Sequence, residues 1–142
     1  MRYLTLLTAV MGLTVSMAHA GMPTEGTLYK NPNCGCCDAY AEYLEENGFK
    51  ITLQNTNDMA QIKKMADVPD ALVGCHTMRI GNYVVEGLVP VDTLKRLLTE
   101  EPDIRGISLP GMPTGAPGMP GPKPEPFKIY TISAEPEVYA EE

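Results

Sequence analysis

Basic residues are scarce in this 142-residue chain: 11 Lys and Arg stand against 18 Asp and Glu, a formal charge of -7 at pH 7. A protein that binds nucleic acid or anionic lipid by charge carries a basic patch or stripe. None is present, which excludes a nucleic-acid partner. Long apolar runs are lacking too. The run at residues 3–15 is shorter than the ~20 residues that a transmembrane helix needs. Histidine is limited to His19 and His76. Against these absences, 44% hydrophobic and 20% charged residues are the composition of a folded globular protein, and the length fits one domain. Two features are in excess: 13 Gly with 13 Pro, and four Cys of which three fall within Cys34-Gly35-Cys36-Cys37.

Residues 1–20 read as a signal peptide. Arg2 supplies the positive start, residues 3–15 the apolar stretch, and Ala18-His19-Ala20 a small-x-small cleavage site before Gly21. No Cys follows that site, so no lipid anchor is expected, and the mature protein is exported with no membrane attachment. His76 is then the sole histidine left. Thiols in an oxidising compartment become disulfides unless a metal occupies them or a partner reduces them again. Cys34, Cys36, Cys37 and Cys75 allow three pairings, of which the one joining adjacent Cys36 and Cys37 needs a strained backbone.

Along the mature chain, residues 26–30 read as a strand ended by Asn31-Pro32-Asn33. The cysteine cluster then opens an amphipathic helix to Asn47, with Ala39, Tyr40, Tyr43 and Leu44 on one side and Glu42, Glu45 and Glu46 solvated. A strand at 49–54 is followed by a helix at 59–66 capped by Asn57-Asp58 and stopped before Pro69. Residues 77–80 and 83–85 form a hairpin about Gly81-Asn82. Pro90 starts a last helix with Val91, Leu94, Leu97 and Leu98 inward. Residues 110–126 are too rich in Gly and Pro for regular structure, residues 127–132 return as an edge strand, and the acidic stretch 135–142 frays. The expected fold is α/β, a thioredoxin-like sandwich of a mixed sheet with flanking helices. The expected divisions are 1–20, a thioredoxin-like core carrying the cysteine cluster at 21–109, and an irregular Gly/Pro/Met-rich segment at 110–142.

The chemistry lies in the sulfurs. A helix N-terminus favours thiolate over thiol, so the cluster is expected to carry at least one sulfur of lowered pKa. Cys34 and Cys37 have the spacing of a redox pair, but Cys36 inside the loop could attack a bridge between them. Three converging thiolates, joined by Cys75, suit a soft metal centre. Zinc accepts four Cys, though its structural sites use paired knuckles rather than three Cys in four residues. Iron–sulfur clusters fit an oxidising compartment poorly, and Cu(I), which prefers thiolate and thioether sulfur and can be bridged by thiolates in multinuclear clusters, fits best. In this plan Cys75 occupies the position where thioredoxins place a proline. His76 is either a fifth ligand or a donor to one, or a strand histidine turned away from the sulfurs. Met112 and Met119 are either thioether hooks or cover for an apolar sheet edge, whereas Met59, Met65 and Met78 lie on periodic elements and belong to the core.

Asn33-Cys34-Gly35-Cys36-Cys37, Val68-Pro69, Cys75-His76-Thr77, Glu86-Gly87 with Val89-Pro90, Pro110-Gly111-Met112-Pro113 and Pro117-Gly118-Met119 together resemble the exported copper-resistance CopG-like family, from about Thr27 to Ile132. The resemblance implies a thioredoxin-like domain that binds copper through Cys34, Cys36, Cys37 and Cys75 with His76 as accessory, and a redox role in copper tolerance. One position departs: Leu88 stands where the family pattern has histidine. Three functions follow for comparison. The first is an exported, periplasmic copper-binding protein that holds Cu(I) on the thiolate cluster, exchanges it with other exported copper-handling proteins, and cycles its oxidation state. The second is a thiol–disulfide oxidoreductase in which Cys34 attacks and Cys37 resolves. The third is a small binding domain stapled by two disulfides.

Overall fold

A computed structural model describes residues 21–142; the signal peptide expected at 1–20 lies outside them. The strands are β1 (Glu25–Lys30), β2 (Lys50–Asn55), β3 (Thr77–Ile80), β4 (Tyr83–Glu86), β5 (Gly106–Ser108), β6 (Lys128–Thr131) and β7 (Val138–Glu141), and the helices are α1 (Gly35–Glu46), α2 (Met59–Met65) and α3 (Val91–Glu100). The strands form one sheet in the order β2-β1-β3-β4-β5-β6-β7. β1 is parallel to β2 and β4 to β5, and the other neighbours are antiparallel. The sheet is mixed and flanked by helices, the thioredoxin-like plan that the sequence predicts.

Alternation along the strands divides the interior. Leu28, Met78, Val85, Ile107 and Ile129 pack with Tyr40, Leu44, Leu94 and Leu97 from α1 and α3 into the main core. Val84, one residue from Val85 and therefore on the opposite face, joins Ala66, Val68, Leu72 and Ile132 in a smaller cluster. The hairpin turns at Gly81, which adopts a positive φ of 54°, and α3 buries the four residues that its periodicity selects.

Three expectations are corrected. The helix α2 forms where expected, with the Asp58 side chain accepting from Gln61 N–H, but it buries no residue. Met65 is 66% exposed, so only Met78 of the three methionines assigned to the core is deeply buried. A seven-residue helix has too little surface to enclose a long side chain. Residues 127–132 contain a strand, but β6 is interior, because the stretch expected to fray folds as β7 alongside it. Phe127 and Glu142 exchange both backbone hydrogen bonds at the end of that ladder. The irregular stretch between β5 and β6 is also tied down: Gly111 N–H donates to Val73 carbonyl and bridges Gly74 in parallel. Neither β5 nor the 3-10 turn Asp70–Leu72 was expected.

Residues after 110 thus complete the same sheet and core. Replacing fully buried Ile129 with Ala is expected to lower unfolding free energy by about 2–5 kcal/mol, as for other buried aliphatics. Denaturant titration checks this; a loss below about 0.5 kcal/mol, the scale of surface changes, would mean that the segment is merely appended.

Candidate metal centre

The end of β1 and the start of β3 are neighbours because these strands run antiparallel, Leu28 opposite Met78 and Tyr29 opposite Thr77. The Asn31-Pro32-Asn33 turn leaves β1, with Cys34 N–H donating to Asn31 carbonyl and Asn33 N–H to the Asn31 side chain. Cys34 is the N-cap of α1, so Cys36 and Cys37 lie in its first turn. Cys75 arrives from the loop before β3. The four Sγ atoms lie within 4.8 Å of one another.

Cys34 and Cys37 are joined by a disulfide, and Cys36 and Cys75 are free thiols. Cys36 Sγ is 3.4 Å from Cys34 Sγ and 3.7 Å from Cys75 Sγ. From there it can attack the bridge, since exchange proceeds by thiolate approach to a disulfide sulfur. Cys37 is fully buried, and the other three are partly exposed. Desolvation pushes the Cys75 thiol up to about 12, with Cys36 adding to the shift. The shifted free thiol therefore moves in the direction opposite to that expected from a helix N-terminus, because Cys75 comes from the facing loop. A metal at this sulfur has to displace its proton.

His76 is fully buried, its ring 4.8 Å from that of Tyr40 and its Nδ1 3.3 Å from Cys75 Sγ. The ring is thus beside the sulfurs rather than turned away. Its Nε2 has no hydrogen-bond partner. Burial lowers its pKa to about 3, with the Lys63 charge adding to the shift, so the ring is neutral at physiological pH and retains a lone pair. Tyr40 in turn donates to Val89 carbonyl at 2.8 Å, fixing the aromatic wall. Leu88, at the position where the family pattern has histidine, is enclosed in the main core.

The two methionines of the Gly/Pro-rich stretch separate. Met112 is 54% exposed and its Sδ is 3.9 Å from Cys36 Sγ. Met119 packs against the main core. Gly118 explains the close approach: it has φ +85°, and a Cβ there would lie 2.6 Å from Cys36 carbonyl oxygen. Only glycine lets the stretch lie this tightly on α1.

Lys30 was missed by the sequence reading. Although only 2% exposed, it donates to Asn31 and Pro32 carbonyls and to Asn55 Oδ1, and pairs with Asp38 at 3.0 Å. It ties the turn before the cysteines to the first turn of the helix that carries them. The available signal was strand parity, since Lys30 shares the inward phase of Gly26 and Leu28.

Fold and site together define an α/β protein with a cysteine cluster capable of holding a metal. Among known families, the one described as "Protein of unknown function, DUF411" matches residues 72–119, a span containing Cys75, His76 and Met112. No curated protein matches the chain. Two solved structures, named copper resistance protein CopG form 1 and form 2, are each 34% identical with a TM-score of 0.77, over 84% of this chain and 98% of theirs. The chain belongs to the CopG-like copper resistance family.

Because His76 binds a proton less readily folded than at its ordinary pKa of 6.5, the unfolded chain takes up more protons between about pH 6.5 and 3. The stability of the metal-free protein is therefore expected to be full above that window. It falls as the pH drops through it, by up to about 1.4 kcal/mol per pH unit from this group. Denaturant titrations at pH 4, 5 and 7 on wild type and His76→Gln check this; the variant should lose that part of the slope.

Proposed function

We propose that the protein is an exported copper-binding protein that holds Cu(I) on Cys34, Cys36, Cys37 and Cys75, buffering or passing on the metal in copper resistance. The observation that carries the reading is the convergence of four sulfurs from two distant segments within 4.8 Å. A soft donor set of that kind favours Cu(I) over hard cations. Relatives of known structure named for copper resistance support it, as does the Met112 thioether beside Cys36. His76 contributes through Nδ1, either on the metal or on the Cys75 sulfur. Copper would supply one-electron chemistry when bound. The chain's own residues hold the sulfurs together, exclude water from Cys37 and His76, and release the Cys75 proton.

The Cys34–Cys37 bond adds a condition. While it is closed, two of the four thiolates are unavailable, and opening it takes two electrons and two protons. Copper capacity is thereby tied to thiol redox state, a dependence separate from the proposed cycling of copper's own oxidation state. The same bond favours the second reading, thiol–disulfide exchange: once a dithiol donor has reduced the bridge, the Cys34 thiolate attacks a substrate disulfide and releases one substrate thiolate, and Cys37 then attacks the mixed disulfide, releasing the second and re-forming the bridge.

Competition of the reduced protein, residues 21–142, with a strong Cu(I) chelator separates the readings. Wild type is expected to retain Cu(I), and Cys36→Ser to lose at least about 100-fold in affinity, the upper end of what changes outside the ligand shell cost. Met112→Leu should weaken retention less. Failure of wild type to compete, with metal-independent reduction of a model disulfide that vanishes in Cys34→Ser, would instead establish the exchange enzyme. Export is checked separately: protein recovered from the periplasm should begin at Gly21, and an N-terminus at Met1 would overturn cleavage.

A further inference from the structure

Glu86 is a fully buried carboxylate that the copper-binding reading does not use. It ends β4, directly across from Thr77 on β3. Its Oε1 accepts from Gly74 N–H at 2.8 Å and from the Lys63 ammonium of α2, and its Oε2 accepts from the Thr77 hydroxyl at 2.6 Å. Lys63 also donates to the Thr77 hydroxyl oxygen at 3.3 Å. Gly74 immediately precedes Cys75, and Thr77 immediately follows His76. One carboxylate therefore grips the chain on both sides of the Cys75-His76 pair. A third tie comes from the next residue, where Gly87 N–H donates to His76 carbonyl at 3.1 Å.

Stability alone does not account for this arrangement. A buried ion pair commonly gains no more than well-packed apolar side chains in its place, and burial itself opposes the ionised form of Glu86, with Lys63 and the hydrogen bonds from Thr77 and Gly74 working against that cost. What apolar side chains would not supply is direction. The backbone N–H and the hydroxyl are fixed at set distances from one pair of oxygens, so the loop between them has little freedom to rotate. The residue so held bears the only cluster sulfur that comes from outside Cys34–Cys37, 39 positions along the chain from Cys36.

We infer that Glu86, paired with Lys63, is a positioning residue that fixes the 74–77 loop and so keeps the Cys75 sulfur against Cys36. Its meaning for metal binding rests on the proposed copper function. The placement of the thiol does not.

The test uses the oxidised, metal-free protein, residues 21–142, in which Cys36 and Cys75 are the free thiols, with iodoacetamide alkylation at each followed by peptide mass spectrometry. Glu86→Gln keeps the size but removes the charge and replaces one acceptor oxygen with a donor, so the Gly74 N–H and the Thr77 hydroxyl that flank Cys75 lose their charge-assisted bonds. The alkylation rate of Cys75 relative to Cys36 is expected to rise about tenfold or more, the scale of one lost hydrogen bond to a charged group. The reduced variant should also hold Cu(I) about 10–100-fold less tightly. Because Glu86→Gln leaves the half-buried Lys63 charge without its partner, Lys63→Met with Glu86→Gln removes both charges together. If the single variant does not fold, this double variant decides, with circular dichroism establishing its fold and the raised Cys75 to Cys36 ratio expected to remain. An unchanged ratio in a folded variant overturns the inference, as does an equal rise at both thiols, which signals general loosening. If wild type fails to hold Cu(I) while the ratio still depends on Glu86, the positioning role stands and the copper reading falls.

Discussion

The antiparallel pairing of β1 with β3 is the constraint on which the sulfur site depends. It places the exit of one strand beside the entrance of the next, so that a turn leaving the first and a loop entering the second meet at one end of the sheet. Strand pairing repeats every two residues, and a slip of one position would reverse which side chains face α1. Leu28 and Met78 would leave the core, and the ends carrying Cys34 and Cys75 would no longer face each other. The register of four residue pairs, from Gly26 with Ile80 to Tyr29 with Thr77, thus sets how far the Cys75 sulfur lies from the three that α1 already brings together.

The parts of this arrangement legible in the sequence are those whose cause is local. The hairpin at Gly81-Asn82, the α3 stripe from Val91 to Leu98, and the opening of α1 at the cysteines each follow from spacing within a dozen residues, and together they give the α/β order. β7 was missed because its cause is remote: Val138-Tyr139-Ala140 is a short run set between glutamates, and it becomes a strand by pairing with β6. Met65 was misplaced for the related reason that helical periodicity says which residues share a face but not whether anything covers that face. Cys34, Cys36, Cys37 and Cys75 could be grouped from chemistry alone. Lys30 and Glu86 could not, since a charged side chain in a strand ordinarily points to solvent, and only the parity they share with buried neighbours indicates otherwise.

The site combines two kinds of restraint. Sulfurs on the α1 side are held by backbone, through the N-cap turn, the first helical turn and the close lie of Gly118. The sulfur on the β3 side is held by side chains, through a carboxylate and its donors. Between them sits His76, with one ring nitrogen on a sulfur and the other without a partner, in a space too dry to accept a proton readily. Each buried group here is neutral or bonded in the metal-free protein, so a soft metal has to displace the Cys75 proton, and the Cys34 and Cys37 sulfurs become donors only once their bridge is reduced.

The acidic end of the chain puts its charges along one edge of the sheet. Among the described residues the seven-stranded sheet is open at both edges, and rows of unpaired backbone groups are templates on which a second copy can add a strand. One of these rows belongs to β7, within a stretch that holds Glu135, Glu137, Glu141 and Glu142. An approaching copy would bring the same carboxylates against them, and like charges facing each other across a strand pair oppose its formation. The tail therefore closes the core with its apolar residues while its charges discourage the sheet from continuing into a neighbouring molecule.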